Sequence, residues 1–195
     1  ATTILEELEE AGFIMSQTAF GKRSKERVYR LVDEYSLFYL RWIAPIKDNI
    51  LRHFDPDYWN KQSASSAWNA WAGHAFENIC LKHSFKIKQK LGISGITTME
   101  SHWQYAPAGK EERGAEIDLV IDRADSCINL CEMKFAKDLF SIDKEYAQIL
   151  ENKRNVFREQ TKTKKTLFTT LITTFGLKKN SYVSHLAEVV LDDLF

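Results

Sequence analysis

The chain is poor in proline, cysteine and glycine, and its opposite charges cancel. Its 195 residues include three prolines, three cysteines and eight glycines, and 27 basic residues balance 27 acidic ones. The composition as a whole argues against fibrous repeats, and three cysteines, an odd number without a framework spacing, argue against a disulfide scaffold. A net charge of zero means that any nucleic-acid contact must come from a local basic patch.

Long apolar runs are also missing, and no signal peptide heads the sequence. Together with the unpaired cysteines, which suit a reducing compartment, this predicts a cytoplasmic protein without a membrane span. Hydrophobic residues make up 44% of the chain, with 12 Phe, 7 Tyr and 5 Trp. That content is enough for a sizeable core, so we expect one ordinary domain or two small ones.

The first 46 residues have the pattern of a helix followed by a hairpin. Thr3 and Glu6 fit a capping box, Gly12 ends the helix, and residues 13–15 and 27–31 flank a basic tip. A helix and a basic-tipped hairpin are typical of the back half of a winged helix. We therefore predict a truncated winged-helix element over residues 1–46, a second domain over residues 47–195, and a longer parent protein.

Two interpretations of the hairpin tip stay open. Lys22 and Arg23 are suited to contact phosphate groups, which would make the tip a DNA contact. The preceding helix carries four glutamates, which would repel a phosphate backbone, so a solvated tip in a protein-contacting element is the alternative. Further on, Asp33 is expected to cap a helix over residues 34–46 that is apolar nearly all round and hence buried.

The segment 114–135 carries charged residues inside apolar strands. Residues 117–123 and 127–135 are rich in Val, Ile and Leu and are separated by an Ala-Asp-Ser turn. Asp118 lies in the first strand, and Glu132 and Lys134 lie on one face of the second. Charges in buried strands are costly unless they pair or bind a ligand, which marks these three residues as a candidate site.

Helices and further strands are predicted on both sides of these two strands. A helix over residues 65–82 carries Glu77, and a strand follows over residues 97–105. A second helix, over residues 143–161, is followed by strands over residues 166–175 and 188–191. The second helix is expected to turn Tyr146, Ile149, Leu150, Val156 and Phe157 inward. Its polar side carries Gln148 and the basic residues Lys144, Lys153, Arg154 and Arg158.

This order of elements resembles the PD-(D/E)XK nuclease superfamily, which has a restriction-endonuclease-like fold. The resemblance covers roughly residues 65–191 and implies an α/β domain with a mixed central sheet flanked by helices. Glu77, Asp118 in EIDLVI, and Glu132 with Lys134 in CEMKF match the superfamily's acidic and lysine positions. The sequence departs from the motif at Ile117, where the superfamily's name has proline.

The resemblance implies metal-dependent hydrolysis of a phosphodiester. Asp118, Glu132 and the Met133 carbonyl would hold Mg²⁺ or Mn²⁺, since such cations take oxygen ligands. Lys134 would orient or deprotonate the attacking water, and Glu77 would position water or support a second metal. Gln148 is the best candidate from the following helix, with Lys144 and Tyr146 behind it. DNA is the preferred substrate and RNA the alternative. The basic residues Lys144, Lys153, Arg154 and Arg158 are the candidate backbone contacts, although an ordinary solvated helix face explains them equally well.

The chain also looks like the C-terminal part of a family of archaeal and bacterial AAA-type P-loop ATPases. The strings YRLVDEYSLFYLRWI, WAGHAFENIC and GAEIDLVIDR carry this resemblance. The chain lacks the GxxxxGK[ST] phosphate-binding motif, so the resemblance places the ATPase upstream of residue 1. A homodimer is a further option, and no membrane partner is expected.

Other functions remain open at this point. A nuclease fold kept as a docking or DNA-binding module, regulating the ATPase without turnover, is the main alternative. A winged-helix regulator would need a recognition helix that the sequence does not display. A purely structural explanation is that Glu132 and Lys134 form an edge-strand ion pair while Asp118 caps a turn.

Overall fold

A computed structural model describes residues 2–22, 27–50, 55–107, 109 and 114–195. The helical elements are α1 (Thr2–Glu10), α2 (Glu34–Phe38), a π-helical turn (Tyr39–Ile43), a 3₁₀ turn (Ala44–Ile46), α3 (Lys47–Ile50), α4 (Tyr58–Ser63), α5 (Ser66–Lys82), α6 (Ser84–Lys90), α7 (Lys144–Thr161) and a final 3₁₀ turn (Leu191–Leu194). The strands are β1 (Ile14–Thr18), β2 (Arg27–Leu31), β3 (Thr98–Tyr105), β4 (Ala115–Arg123), β5 (Cys127–Lys134), β6 (Thr166–Thr173) and β7 (Ala187–Val190).

Five of the strands form a mixed sheet in the order β3-β4-β5-β6-β7. β3, β4 and β5 are antiparallel neighbours, whereas β5, β6 and β7 run parallel. Ser126 takes a positive φ of 62° in the turn between β4 and β5, and α7 makes the crossover that a parallel β5-β6 pair requires. The prediction of an α/β domain with a mixed sheet flanked by helices is confirmed.

Apolar clusters cover both faces of the sheet. On one face, Phe76 and Cys80 of α5 join Leu119, Cys131 and Ile172. On the other face, Phe157 of α7 joins side chains from β3, β4, β5 and β6, namely Trp103, Ile117, Val120, Ile128, Leu130 and Leu167. The sheet is therefore the middle layer between α5 and α7, and side chains on β5 reach both helices.

The predicted N-terminal hairpin is present and lies against the sheet. β1 pairs with β2 in antiparallel register, although β1 spans Ile14–Thr18 and not residues 13–15. Beyond β1, the Phe20 N–H donates to the His102 carbonyl at 2.8 Å, and the Phe20 ring lies 5.0 Å from Phe157. The winged-helix interpretation and the boundary at residue 46 stay predictions.

The predicted buried helix over residues 34–46 is wrong in its continuity and in its burial. Asp33 does cap it, accepting from the Ser36 N–H at 2.7 Å, but the regular helix ends at Phe38 and continues as π and 3₁₀ turns. Trp42 is buried, whereas Leu40 is 59% exposed. The reason is that one side alone, with Phe38 and Trp42, packs on aromatic rings of α4 and α5.

Within the described residues, no helix has the length and apolar character needed to cross a bilayer.

Candidate active site at the end of β5

Asp118 lies where β4 and β5 separate. Pairing between these strands runs from Asp122 to Leu119 on β4 and stops before Asp118. Against β3, the register of β4 shifts: Ser101 is opposite Val120, but Trp103 is opposite Ile117. This bulge adds one residue to β4. The Met133 N–H of β5 donates to Oδ2 of Asp118 at 2.7 Å. In a continuous β-sheet this N–H would donate to a backbone carbonyl of the neighbouring strand, so the Asp118 carboxylate replaces that carbonyl.

The environment of Asp118 favours its neutral form. Burial is the main cause that raises the pKa of this carboxyl, and the negative charge of Glu132 adds to it. The Met133 N–H and Lys134 act in the opposite direction, and the resulting pKa is about 7. A cation between Asp118 and Glu132 would reverse this effect, because it would stabilise both carboxylates in their charged form.

Glu132 is held by two lysines. Its side chain is buried, with Oε1 2.8 Å from Lys134 Nζ and Oε2 2.6 Å from Lys153 Nζ. Burial alone would lower the pKa of Lys134, but Glu132, with Asp118 and Glu77, raises it above its ordinary value. Lys134 therefore keeps its proton at neutral pH, which favours water orientation and charge stabilisation over proton abstraction.

Glu77 reaches the site from α5, on the other face of the sheet. Its negative charge contributes to the raised pKa values of both Asp118 and Lys134. Arg30 of the hairpin binds it, with Nη1 2.9 Å from Glu77 Oε2. The same arginine lies 3.3 Å from Asn78 Oδ1, and the Asn78 amide donates to the Leu31 carbonyl at 3.0 Å. The hairpin is thus bonded directly to the helix that carries Glu77.

Two residues of α7 face the site, the secondary candidate Tyr146 and Lys153, whereas the preferred candidate Gln148 does not. Tyr146 and Lys153 lie on one stripe of the helix, together with the buried Leu150 and Phe157. Burial, followed by the charges of Glu132 and Asp118, raises the pKa of Tyr146, so its hydroxyl keeps its proton. Gln148 lies outside that stripe and lines a different cavity. The placement of Lys153 on the solvated side of α7 was therefore wrong.

A signal for Lys153 is present in the sequence. Positions 146, 150, 153 and 157 follow the i, i+4, i+7, i+11 spacing of one helix face. Three of these positions hold an aromatic or aliphatic residue, and the fourth holds a lysine. A lysine inside an apolar stripe needs a buried partner, and Glu132 is an acidic residue in a buried strand.

The cavity that Gln148 lines has a volume of about 390 Å³ and lies between α7, β6 and the segment before β7. Lys144 and Arg154 also line it, together with Tyr182 and His185. Arg154 Nη2 lies 3.8 Å from Glu151, and Arg158 is exposed. Of the two predicted hairpin contacts, Lys22 is exposed, and Arg23 lies outside the described residues. These basic residues remain candidate nucleic-acid contacts.

The donor set fits a small divalent cation that keeps part of its water. Asp118, Glu132 and the Met133 carbonyl offer oxygen ligands, and Mg²⁺ commonly takes only one or two protein carboxylates. No cluster of three or more His, Cys, Asp or Glu side chains suited to a metal occurs in the described part of the chain. Because each Glu132 oxygen already contacts a lysine, a cation that binds there has to compete with these ammonium groups.

The fold and the site define a mixed α/β domain with a buried carboxylate–lysine cluster at the point where β4 and β5 diverge. Residues 39–154 match the DUF234 family, described as archaea bacterial proteins of unknown function. The match spans more than half of the chain, and the protein belongs to this family. The matched span includes Glu77, Asp118, Glu132 and Lys134. No curated protein and no solved structure matches the chain.

Proposed function

We propose that the protein is a metal-dependent nuclease that hydrolyses phosphodiester bonds, with DNA as its substrate. The observation that carries the proposal is the convergence of Asp118, Glu132 and Lys134 where β4 and β5 separate. The order α5-α6-β3-β4-β5-α7-β6 supports a restriction-endonuclease-like fold, because apart from the short α6 it repeats the helix, three-strand, helix, strand sequence of that superfamily.

In this proposal Asp118, Glu132 and the Met133 carbonyl hold Mg²⁺ or Mn²⁺. When bound, such a cation lowers the pKa of a coordinated water and offsets charge that builds on the phosphate. The Met133 N–H fixes the Asp118 carboxylate through its Oδ2 atom, which leaves the side chain little rotational freedom. The protonated Lys134 orients the water and stabilises the developing negative charge.

Glu77 has a supporting role in the same proposal. The negative charge of Glu77 helps to raise the pKa of Asp118, and the ion pair with Arg30 holds the Glu77 side chain in position. It would position water at the site or support a second cation. The wider proposal places this domain behind a P-loop ATPase, with the hairpin and the following helical turns between the two. The motif strings given above support that arrangement.

A second candidate function is a nuclease fold kept as a docking or DNA-binding module. The specific observation in its favour is the pairing of Glu132 with two lysines, which neutralise the carboxylate without any metal ion. Against it stands Asp118, because burial and the charge of Glu132 outweigh the stabilisation by the Met133 N–H and Lys134 and raise the pKa of this carboxyl to about 7.

The test is cation binding together with DNA cleavage. Mg²⁺ and Mn²⁺ are titrated calorimetrically into wild type and Asp118→Asn, and plasmid nicking is followed in the same samples. Asp138→Asn is the matched control, because Asp138 is exposed and lies outside the site. We expect binding and nicking in wild type and in the control, and neither in Asp118→Asn.

Each remaining outcome has a definite meaning. Cation binding that depends on Asp118, without nicking of any DNA, would favour the docking module over the enzyme. No cation binding to wild type would reject the catalytic proposal. Nicking that survives in Asp118→Asn would show that the activity comes from a contaminant or another site.

A further inference from the structure

Lys153 makes a contact at the site that the resemblance to nucleases does not explain. Its Nζ atom lies 2.6 Å from Oε2 of Glu132, and its side chain is 21% exposed. Lys134 already occupies the other oxygen of the same carboxylate, at 2.8 Å. One buried carboxylate is thus shared by two ammonium groups, one from its own strand and one from α7.

We propose that Lys153 is an internal counter-ion that occupies the cation's place on Glu132 and competes with the cation for that oxygen. This inference rests on the proposed function, because it assumes that Glu132 is a cation ligand. In the cation-free protein the ammonium group neutralises Glu132. Cation binding displaces it, so Lys153 sets how tightly the cation binds.

The surroundings indicate why Lys153, and not Lys134, is the group that leaves. Lys134 interacts with Asp118 and Glu77 as well as with Glu132, so it retains acidic neighbours when the cation binds. Around Lys153, the small space beside Glu132 is lined by Ile117, Leu130, Leu150, Arg154 and Thr169. Among the described residues, Glu132 is the acidic partner found for Lys153.

The charges predict the direction of the effect. A divalent cation at Glu132 is repelled by each ammonium group that stays within a few ångström, and the lone pair that Lys153 occupies is not available to the cation. Removing the charge of Lys153 removes both costs. A role that is only structural would instead lower the stability of the fold and leave cation affinity unchanged or weaker.

The experiment is a calorimetric titration of Mn²⁺ into the protein without nucleic acid. The variants are Lys153→Met, which removes the charge, and Lys153→Arg, which keeps it. Lys164→Met is the matched control, since Lys164 is an exposed lysine beyond the end of α7. We expect at least about a tenfold gain in affinity in Lys153→Met and wild-type affinity in the other two proteins.

The inference fails if Lys153→Met binds Mn²⁺ with wild-type or weaker affinity while wild type itself binds. In that case the proposed nuclease function stands. If Lys153→Met gains affinity and Asp118→Asn abolishes binding in that background, both proposals are supported. If wild type does not bind the cation, the nuclease proposal is rejected, and if Lys153→Met does not bind it either, this inference is rejected as well. Circular dichroism checks folding, and Lys153→Gln replaces Lys153→Met if the latter does not fold.

Discussion

The two halves of β5 present unlike side chains to α7. In the first half, Ile128 and Leu130 lie in an apolar cluster with Phe157. In the second half, on the same face of the same strand, Glu132 contacts both Lys134 and, from α7, Lys153. The alternation along the strand is unbroken, and the chemistry changes within two residues.

The neighbouring strand accounts for the difference. β4 pairs with the first half of β5, as far as Cys131 opposite Leu119, and there the pairing stops. Beyond that point Asp118 replaces the backbone as the partner of β5. The apolar half therefore rests on a continuous sheet, whereas the charged half lies at a split where side chains can converge. A split between strands offers space for a ligand without opening the core.

The largest expected effect is on the apolar half. Phe157 is fully buried, with its ring 5.0 Å from those of Phe20 and Trp103. Phe157→Ala should lower the free energy of unfolding by about 3 to 5 kcal/mol, because it removes a large buried side chain and leaves a cavity. Urea unfolding measures this. Phe168→Ala, at an exposed position, is the control and should cost less than about 1 kcal/mol.

The charged half should respond to pH. Burial and Glu132 raise the pKa of Asp118 to about 7, above its value in the unfolded chain. Between these two pKa values the folded state binds one proton more than the unfolded state. The contribution of Asp118 to the unfolding free energy is therefore complete at low pH and is lost as the pH rises through about 7. Relative to Asp118→Asn, wild type should lose roughly 2 kcal/mol of unfolding free energy between pH 5 and pH 8.

The measurement is urea unfolding at a series of pH values for both proteins, with Asp138→Asn as the control that keeps the wild-type slope. Equal slopes for wild type and Asp118→Asn would contradict a raised pKa. That result would also remove the main electrostatic distinction between the two halves of β5.

The smallest expected effect tests which side of α7 faces β5. Ile149 was predicted to point inward, but it is 42% exposed, whereas the adjacent Leu150 is 7% exposed. Ile149→Gln should change the unfolding free energy by less than about 0.5 kcal/mol, while Leu150→Ala should cost about 2 to 5 kcal/mol. Thermal or urea unfolding compares them, and similar losses from both would place the boundary of the buried face elsewhere.

Local patterns were sufficient to predict most of the fold. The strands around the Ala-Asp-Ser turn, the helix carrying Glu77, the cap at Asp33 and the long helix after β5 follow from turn residues, capping and periodicity. The segment over residues 34–46 was mispredicted because its burial depends on rings from α4 and α5, which lie far away in sequence.

The candidate site was predictable only in its core. Asp118, Glu132 and Lys134 stand out because charges are rare in apolar strands, and the structure brings them together. Lys153 was placed on the polar side of α7 with Gln148, because a lysine on a helix is ordinarily solvated. The bulge at Asp118 and the Arg30–Glu77 pair depend on register and on tertiary contacts, which single-residue patterns do not encode.

The ion pair between Arg30 and Glu77 couples the position of the hairpin to the charge distribution at the site. A lateral displacement of β2 by a few ångström would break a contact of 2.9 Å and leave the Glu77 carboxylate without that cation. The charge of Glu77 affects the pKa values of Asp118 and Lys134, so a movement of the hairpin would change the electric potential at the end of β5. A displacement of the N-terminal segment would therefore change the electric potential at the site without any rearrangement of the sheet.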